Sequence, residues 1–100
     1  MANKQELLHF LDGHVFDPIL HASPDNYSER DRKKLQDVQD RTRSEKERFH
    51  HYASAAEIIE NYKRDLHSST AKRVNKELEE LKLPTLPSVE QEFLKTAGER

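Results

Sequence analysis

Residues 28–66, SERDRKKLQDVQDRTRSEKERFHHYASAAEIIENYKRDL, decide the fold, because thirty-nine consecutive positions contain neither glycine nor proline. Glu, Lys, Arg, Gln, Ala and Leu dominate them, the residues that lose least side-chain freedom on entering a helix. Ser28 with Asp31 three residues on forms a relaxed capping box, so the stretch predicts one long helix over 28–66, roughly 55–60 Å from end to end. Ser44 with Glu47 offers a second box that would permit a break at 42–44, and the continuous helix is the more economical expectation.

The two halves of this stretch differ. Between Ser28 and Arg48 only Leu35 and Val38 are apolar, whereas Phe49, Tyr52, Ala53, Ala55, Ala56, Ile58, Ile59, Tyr62 and Leu66 crowd the second half on more than one face. The second half therefore reads as core, and the first as a projecting arm or a surface touching one neighbour. A heptad-like seam runs through Leu35, Val38, Thr42, Glu45, Phe49, Tyr52, Ala56, Ile59, Lys63 and Leu66. Thr42, Glu45 and Lys63 interrupt it, which is too polar for a sustained two-stranded coiled coil and suits a bundle helix.

Outward from this stretch, residues 1–22 form an apolar docking segment. Leu7, Leu8, Phe10 and Leu11 share one helical arc, Gly13 is placed to end that helix with a left-handed cap, and Asp17-Pro18 opens a brief second turn carrying Ile19 and Leu20. Glu6, His9, Asp12, His14 and Asp17 interrupt the segment too often for a signal peptide or a membrane span. Ser23-Pro24-Asp25-Asn26 is a turn. Downstream, Ala71, Val74, Leu78 and Leu81 predict a helix over 70–82 that folds back antiparallel on the long one. Residues 83–87 (Leu-Pro-Thr-Leu-Pro) are a rigid linker, and Ser88 with Gln91 opens a short helix over 88–97 that Gly98 stops. The expectation is a single all-α domain over 1–100, a bundle of about four helices with one long central helix and short terminal ones.

Composition narrows function by exclusion. The chain is 36 % charged with a net charge of −2, so its total charge implies neither a polyanionic partner nor a membrane surface. With no cysteine there is no disulfide framework, thiolate nucleophile or Cys-ligated metal, and a cytoplasmic location is expected. Two glycines cannot build a phosphate cradle, and Ser and Thr fall at capping positions without a nucleophile motif, so no enzyme and no cofactor are expected.

Three constellations remain. Arg30, Lys34, Arg41 and Arg48 align beside the seam, a stripe able to track phosphates. Segment 28–48 nevertheless holds eight basic and six acidic residues and no aromatic to stack on a base, which disfavours nucleic acid. Glu6 with His9 and Glu47 with His50 repeat the E-x-x-H spacing of carboxylate-bridged metal bundles, but each pair lies away from its helix's apolar arc, so a metal centre would need dimerisation to assemble. The third is the seam itself. A thin core in so charged a chain calls for a neighbour, and the sequence predicts a small interaction or regulatory module, a homodimer or the ligand of a protein partner. Its contact would use Leu35, Val38, Phe49, Tyr52 and Ile59, rimmed by Arg41 and Arg48.

Overall fold

The structure, a computed structural model, describes residues 3–98. Among them there are helices and connecting turns and no strand. Helix α1 (Lys4–Leu11) starts where the Asn3 side chain accepts the Glu6 amide at 2.9 Å. It does not stop at Gly13. A π-helical turn (Asp12–Phe16) carries the chain directly into α2 (Asp17–Leu20). The cause is Pro18, which has no N–H and would press its ring on the carbonyl four residues back; widening the turn by one residue relieves the clash, and the Asp17 amide bonds the Asp12 carbonyl instead. Gly13 is thus an ordinary helical residue with open space where a Cβ would go.

After a short turn at Pro24–Asn26, α3 (Glu29–His50) opens on Ser28, whose hydroxyl accepts the Asp31 amide, and runs unbroken through 42–44. Its 22 residues make it the long central helix, roughly 33 Å in length. It ends at His50 rather than continuing to Leu66, which corrects the single helix expected over 28–66. Ser54 caps a new helix, α4 (Ala55–Leu66), by accepting the Glu57 amide, and the Glu57 carboxylate accepts the Ala53 amide at 3.0 Å. That reciprocal box satisfies the donors a break leaves bare, so the reversal costs little. It lets Phe49 at the end of α3 and Ile58 and Tyr62 of α4 all reach the same interior.

Helix α5 (Ser69–Glu80) is capped by Ser68 and ends in a Schellman turn, with Leu83 N–H on the Leu78 carbonyl and Lys82 N–H on that of Glu79. Lys82 takes the left-handed conformation there (φ 59°), a position that favours glycine. Lys34 near the start of α3 meets Glu80 at the end of α5, and Arg48 near the end of α3 meets Asp65 just before α5 begins, so the two helices run in opposite directions. In the linker, Ser88 pairs with Thr85 rather than Gln91: each backbone amide donates to the other's hydroxyl. A turn at Pro87–Val89 then leads into α6 (Glu90–Thr96), and Gly98 follows in the left-handed conformation (φ 82°) as its stop.

One core joins these elements. Leu7, Leu11, Val15, Phe16 and Ile19 of the N-terminal segment pack in cis against Leu35, Val38 and Phe49 of α3, with Ile58, Tyr62, Leu78 and Phe93 completing it. Each such side chain contributes about 1.5–3 kcal/mol by leaving water. Tyr62 and Phe93 stack with centroids 3.9 Å apart, and the Tyr62 hydroxyl donates to the Leu86 carbonyl, tying α4, α6 and the linker together. Burial, with Glu90 and Glu92 nearby, pushes the Tyr62 phenol far above its ordinary pKa, so it stays a neutral donor. The Tyr27 hydroxyl likewise donates to the Leu81 carbonyl at 2.9 Å, fastening the first turn to the end of α5.

Candidate functional site

Beside the Lys34–Glu80 tie, space between α3 and α5 is reached from two sides. On one side a cleft of about 270 Å³ is walled by Val15, Phe16 and Ile19 of the N-terminal segment, by Val74 and Leu78 of α5, and by Leu86 of the linker. The π-helical turn sets this wall, since it brings Val15 and Phe16 into the interior one after the other. On the other side a shallower groove is lined by α3 and α5 alone, with Asp37, Asp40 and Ser44 facing Arg73 and Glu77. Arg41, Glu45 and Val74 border both.

Thr42 stands in the cleft on the buried face of α3, only 6 % exposed. Its hydroxyl makes no hydrogen bond with any described residue, unlike that of Thr96, which donates to the Glu92 carbonyl at 2.8 Å. No side-chain polar atom sealed from water lacks a partner among the described residues, so the Thr42 oxygen opens onto the cleft.

At one end of the cleft Arg48 donates to the Glu45 carboxylate, to Asp65 at 2.5 Å and to the Tyr52 hydroxyl at 2.7 Å, and it lies over the Phe49 ring, 5.2 Å from its centroid. Burial works against its charge, but the Asp65 and Glu45 carboxylates outweigh that and hold its pKa above the usual guanidinium value. The cluster locks the α3–α4 reversal. At the other end the Lys34–Glu80 pair, 3.0 Å long, lowers the Glu80 pKa. A third tie, Lys46 to Asp17 at 2.7 Å, fastens the N-terminal segment to α3; that hydrogen bond, against a small desolvation and with help from Asp12, raises the Lys46 pKa.

The residues expected at an intermolecular seam divide sharply. Leu35, Val38 and Phe49 are 0–1 % exposed inside the chain's own core, so they hold the fold and present nothing to a neighbour. Tyr52 and Ile59 are half-buried, Arg41 is exposed at the mouth of the cleft, and Arg48 is committed to its carboxylates. The basic stripe is interrupted for the same reason: Lys34 and Arg48 sit in ion pairs, leaving Arg30 and Arg41 exposed. Glu6, His9 and Glu47 are exposed on the surface, and His50 turns to the Asp12 carboxylate at 2.9 Å. Among the described residues no three acidic or histidine side chains gather where they could hold an ion. Thr42, Val74 and Asn75 belong to the cleft and were not singled out as site residues by the sequence; the signal for Thr42 was a polar residue at a seam position.

No protein-family model matches the chain, and no curated protein or solved structure was found similar to it. Among the described residues no helix is long and apolar enough to cross a membrane.

Proposed function

We propose that the chain is a small, cytoplasmic, non-enzymatic interaction module that pairs with a second copy of itself through the outer groove between α3 and α5. The observation that supports this is charge self-complementarity. Asp37 and Glu77 line the groove with Arg41 and Arg73, and none of the four forms an ion pair with a described residue. A two-fold contact places one patch against its own copy, so a patch that carries both signs can satisfy each charge across the axis. The surface supports the same reading. A compact monomer of 11.8 kDa exposes roughly 5,900 Å². This chain exposes 6597 Å², and the excess of roughly 700 Å² approaches the ~800 Å² that each partner commonly contributes to a stable interface. The expected contact therefore moves from the buried seam to the exposed side of the same helix, with Val38 at the base of the groove and Arg41 at its edge common to both.

Sedimentation equilibrium over a wide concentration range tests it. The wild type is expected to dimerise, more weakly at high salt, and Glu77→Arg, which sets like charges against each other twice in a two-fold dimer, should weaken association at least tenfold while the helical circular dichroism is kept. A wild type that stays monomeric at high micromolar concentration, or a Glu77→Arg dimer of unchanged affinity, overturns the proposal.

A further inference from the structure

We propose that the inner cleft is a binding site for a small, uncharged, mainly apolar molecule carrying one hydrogen-bonding group, of the kind an aromatic alcohol represents. The inference does not rest on self-association, because Asp37, Arg73 and Glu77 of the outer groove take no part in the cleft.

The walls set the apolar character. Val15, Phe16, Ile19, Val74, Leu78 and Leu86 come from three separate parts of the chain and form the apolar wall of an open cleft of about 270 Å³, which Ser68, Thr70 and Asn75 also line; that is just below the roughly 300–1,000 Å³ of common ligand pockets. The space persists because its surroundings are braced: Arg48–Asp65 ties the end of α3 to the end of α4 just ahead of α5, Lys34–Glu80 joins the start of α3 to the end of α5, and Lys46–Asp17 holds the helix that carries the opposite wall. Interiors of proteins are otherwise packed to the density of organic crystals, with few voids larger than a water molecule.

The polar group follows from Thr42. A helical threonine ordinarily turns its hydroxyl to the carbonyl one turn back, and Thr42, 6 % exposed, instead leaves its own without a partner among the described residues and open to the cleft. A hydroxyl both donates and accepts, so it suits an alcohol, a phenol or a carbonyl on the ligand. The charges around the cleft decide against an ion. Arg48 already spends its donors on the Glu45 and Asp65 carboxylates and on Tyr52, and Arg41 is exposed at the mouth, where water serves its charge. A charged group seated against the apolar walls would surrender its hydration to them.

The full-length chain, labelled with ¹⁵N and at its methyl groups, would be titrated separately with benzyl alcohol and with toluene and followed by NMR. Saturable shifts are expected at Val15, Thr42, Val74 and Leu78, with the alcohol bound roughly three- to tenfold more tightly than toluene, the worth of one net hydrogen bond. Thr42→Val keeps the side chain's shape and should erase that preference while toluene still binds; Ala71→Phe, which fills the cleft from α5, should abolish both. The absence of saturable shifts at cleft residues with either probe overturns the proposal. So does a preference for the alcohol that survives in Thr42→Val.

Discussion

Leu35 separates the two possible meanings of the apolar seam. If it served a partner, truncating it would weaken association and leave the monomer folded. The structure places it at 0 % exposure inside the monomer, beside Val38 and under the N-terminal segment, so Leu35→Ala removes buried carbon and leaves a hole that the braced helices cannot fully close. Such substitutions cost roughly 2–5 kcal/mol, and a central value of about 3 kcal/mol is appropriate here because the residue is fully covered. For a domain of this length that lowers Tm by roughly 12–24 °C and consumes a large part of a total stability of about 5–15 kcal/mol. The control is Arg41→Ala on the exposed side of the same helix, which should stay within about 0.5 kcal/mol of wild type. Urea unfolding followed by circular dichroism at 222 nm measures both. A Leu35→Ala protein less than about 1 kcal/mol weaker than wild type, with its association lost instead, would refute the assignment of this residue to the monomer core.

Gly13→Ala should stabilise the chain by about 0.5–1 kcal/mol, because Gly13 is helical with room for a Cβ; a left-handed cap there would give the opposite sign, so thermal unfolding reads the backbone directly. Lys82→Gly should also stabilise, by up to about 1 kcal/mol, since Lys82 holds φ 59° in the Schellman turn that ends α5. Arg48→Met should cost about 2 kcal/mol by leaving the mostly buried Asp65 carboxylate with only the exposed Arg64 at 3.9 Å, and adding Asp65→Asn should recover part of that; strictly additive losses in the double-mutant cycle would show that the pair is not coupled. Lys34 lowers the Glu80 pKa, so the pair's contribution is complete above the ordinary carboxylate pKa and is lost as pH falls through the lowered value. In an NMR titration Glu80 should therefore protonate at lower pH in wild type than in Lys34→Ala, and identical titrations would count against the ion pair.

The α class was legible because every local preference agrees with it, and helix ends were legible wherever a side chain caps them by itself. Ser28 and Gly98 act as their positions in the sequence suggest. The α3–α4 break shows why this stops short. Ser44-Glu-Lys-Glu47 and Ser54-Ala-Ala-Glu57 carry the same S-x-x-E signature, yet only the second starts a helix. The flanking tertiary structure distinguishes them. Phe49, Ile58 and Tyr62 must all enter one interior, which a straight helix through 51–54 would prevent, whereas Ser44 and Glu47 are exposed and Thr42 and Phe49 around them already face inward on one helix. Gly13 fails similarly: its preference for a left-handed cap loses to the continuous segment that buries Leu7, Leu11, Val15, Phe16 and Ile19 together.

The site was hidden for a different reason. Periodicity reveals which face of α3 meets protein but not which protein, and here the cover is supplied by residues 7–19 of the same chain. The informative position was the one that spoiled the pattern. Thr42 and a valine have nearly the same shape, and burying a hydroxyl that gains no bond is costly, so stability alone would favour valine at this point of the core. Instead a hydroxyl stands where the N-terminal segment leaves a space between α3 and α5, with apolar walls on either side and no partner among the described residues. A rule broken at one position, while its neighbours Val38 and Phe49 obey it, is what a position kept for binding rather than for stability would show. On that argument Thr42→Val should raise the unfolding free energy and at the same time remove the cleft's preference for a hydroxylated ligand. The two effects together would distinguish a binding site from an imperfection in packing.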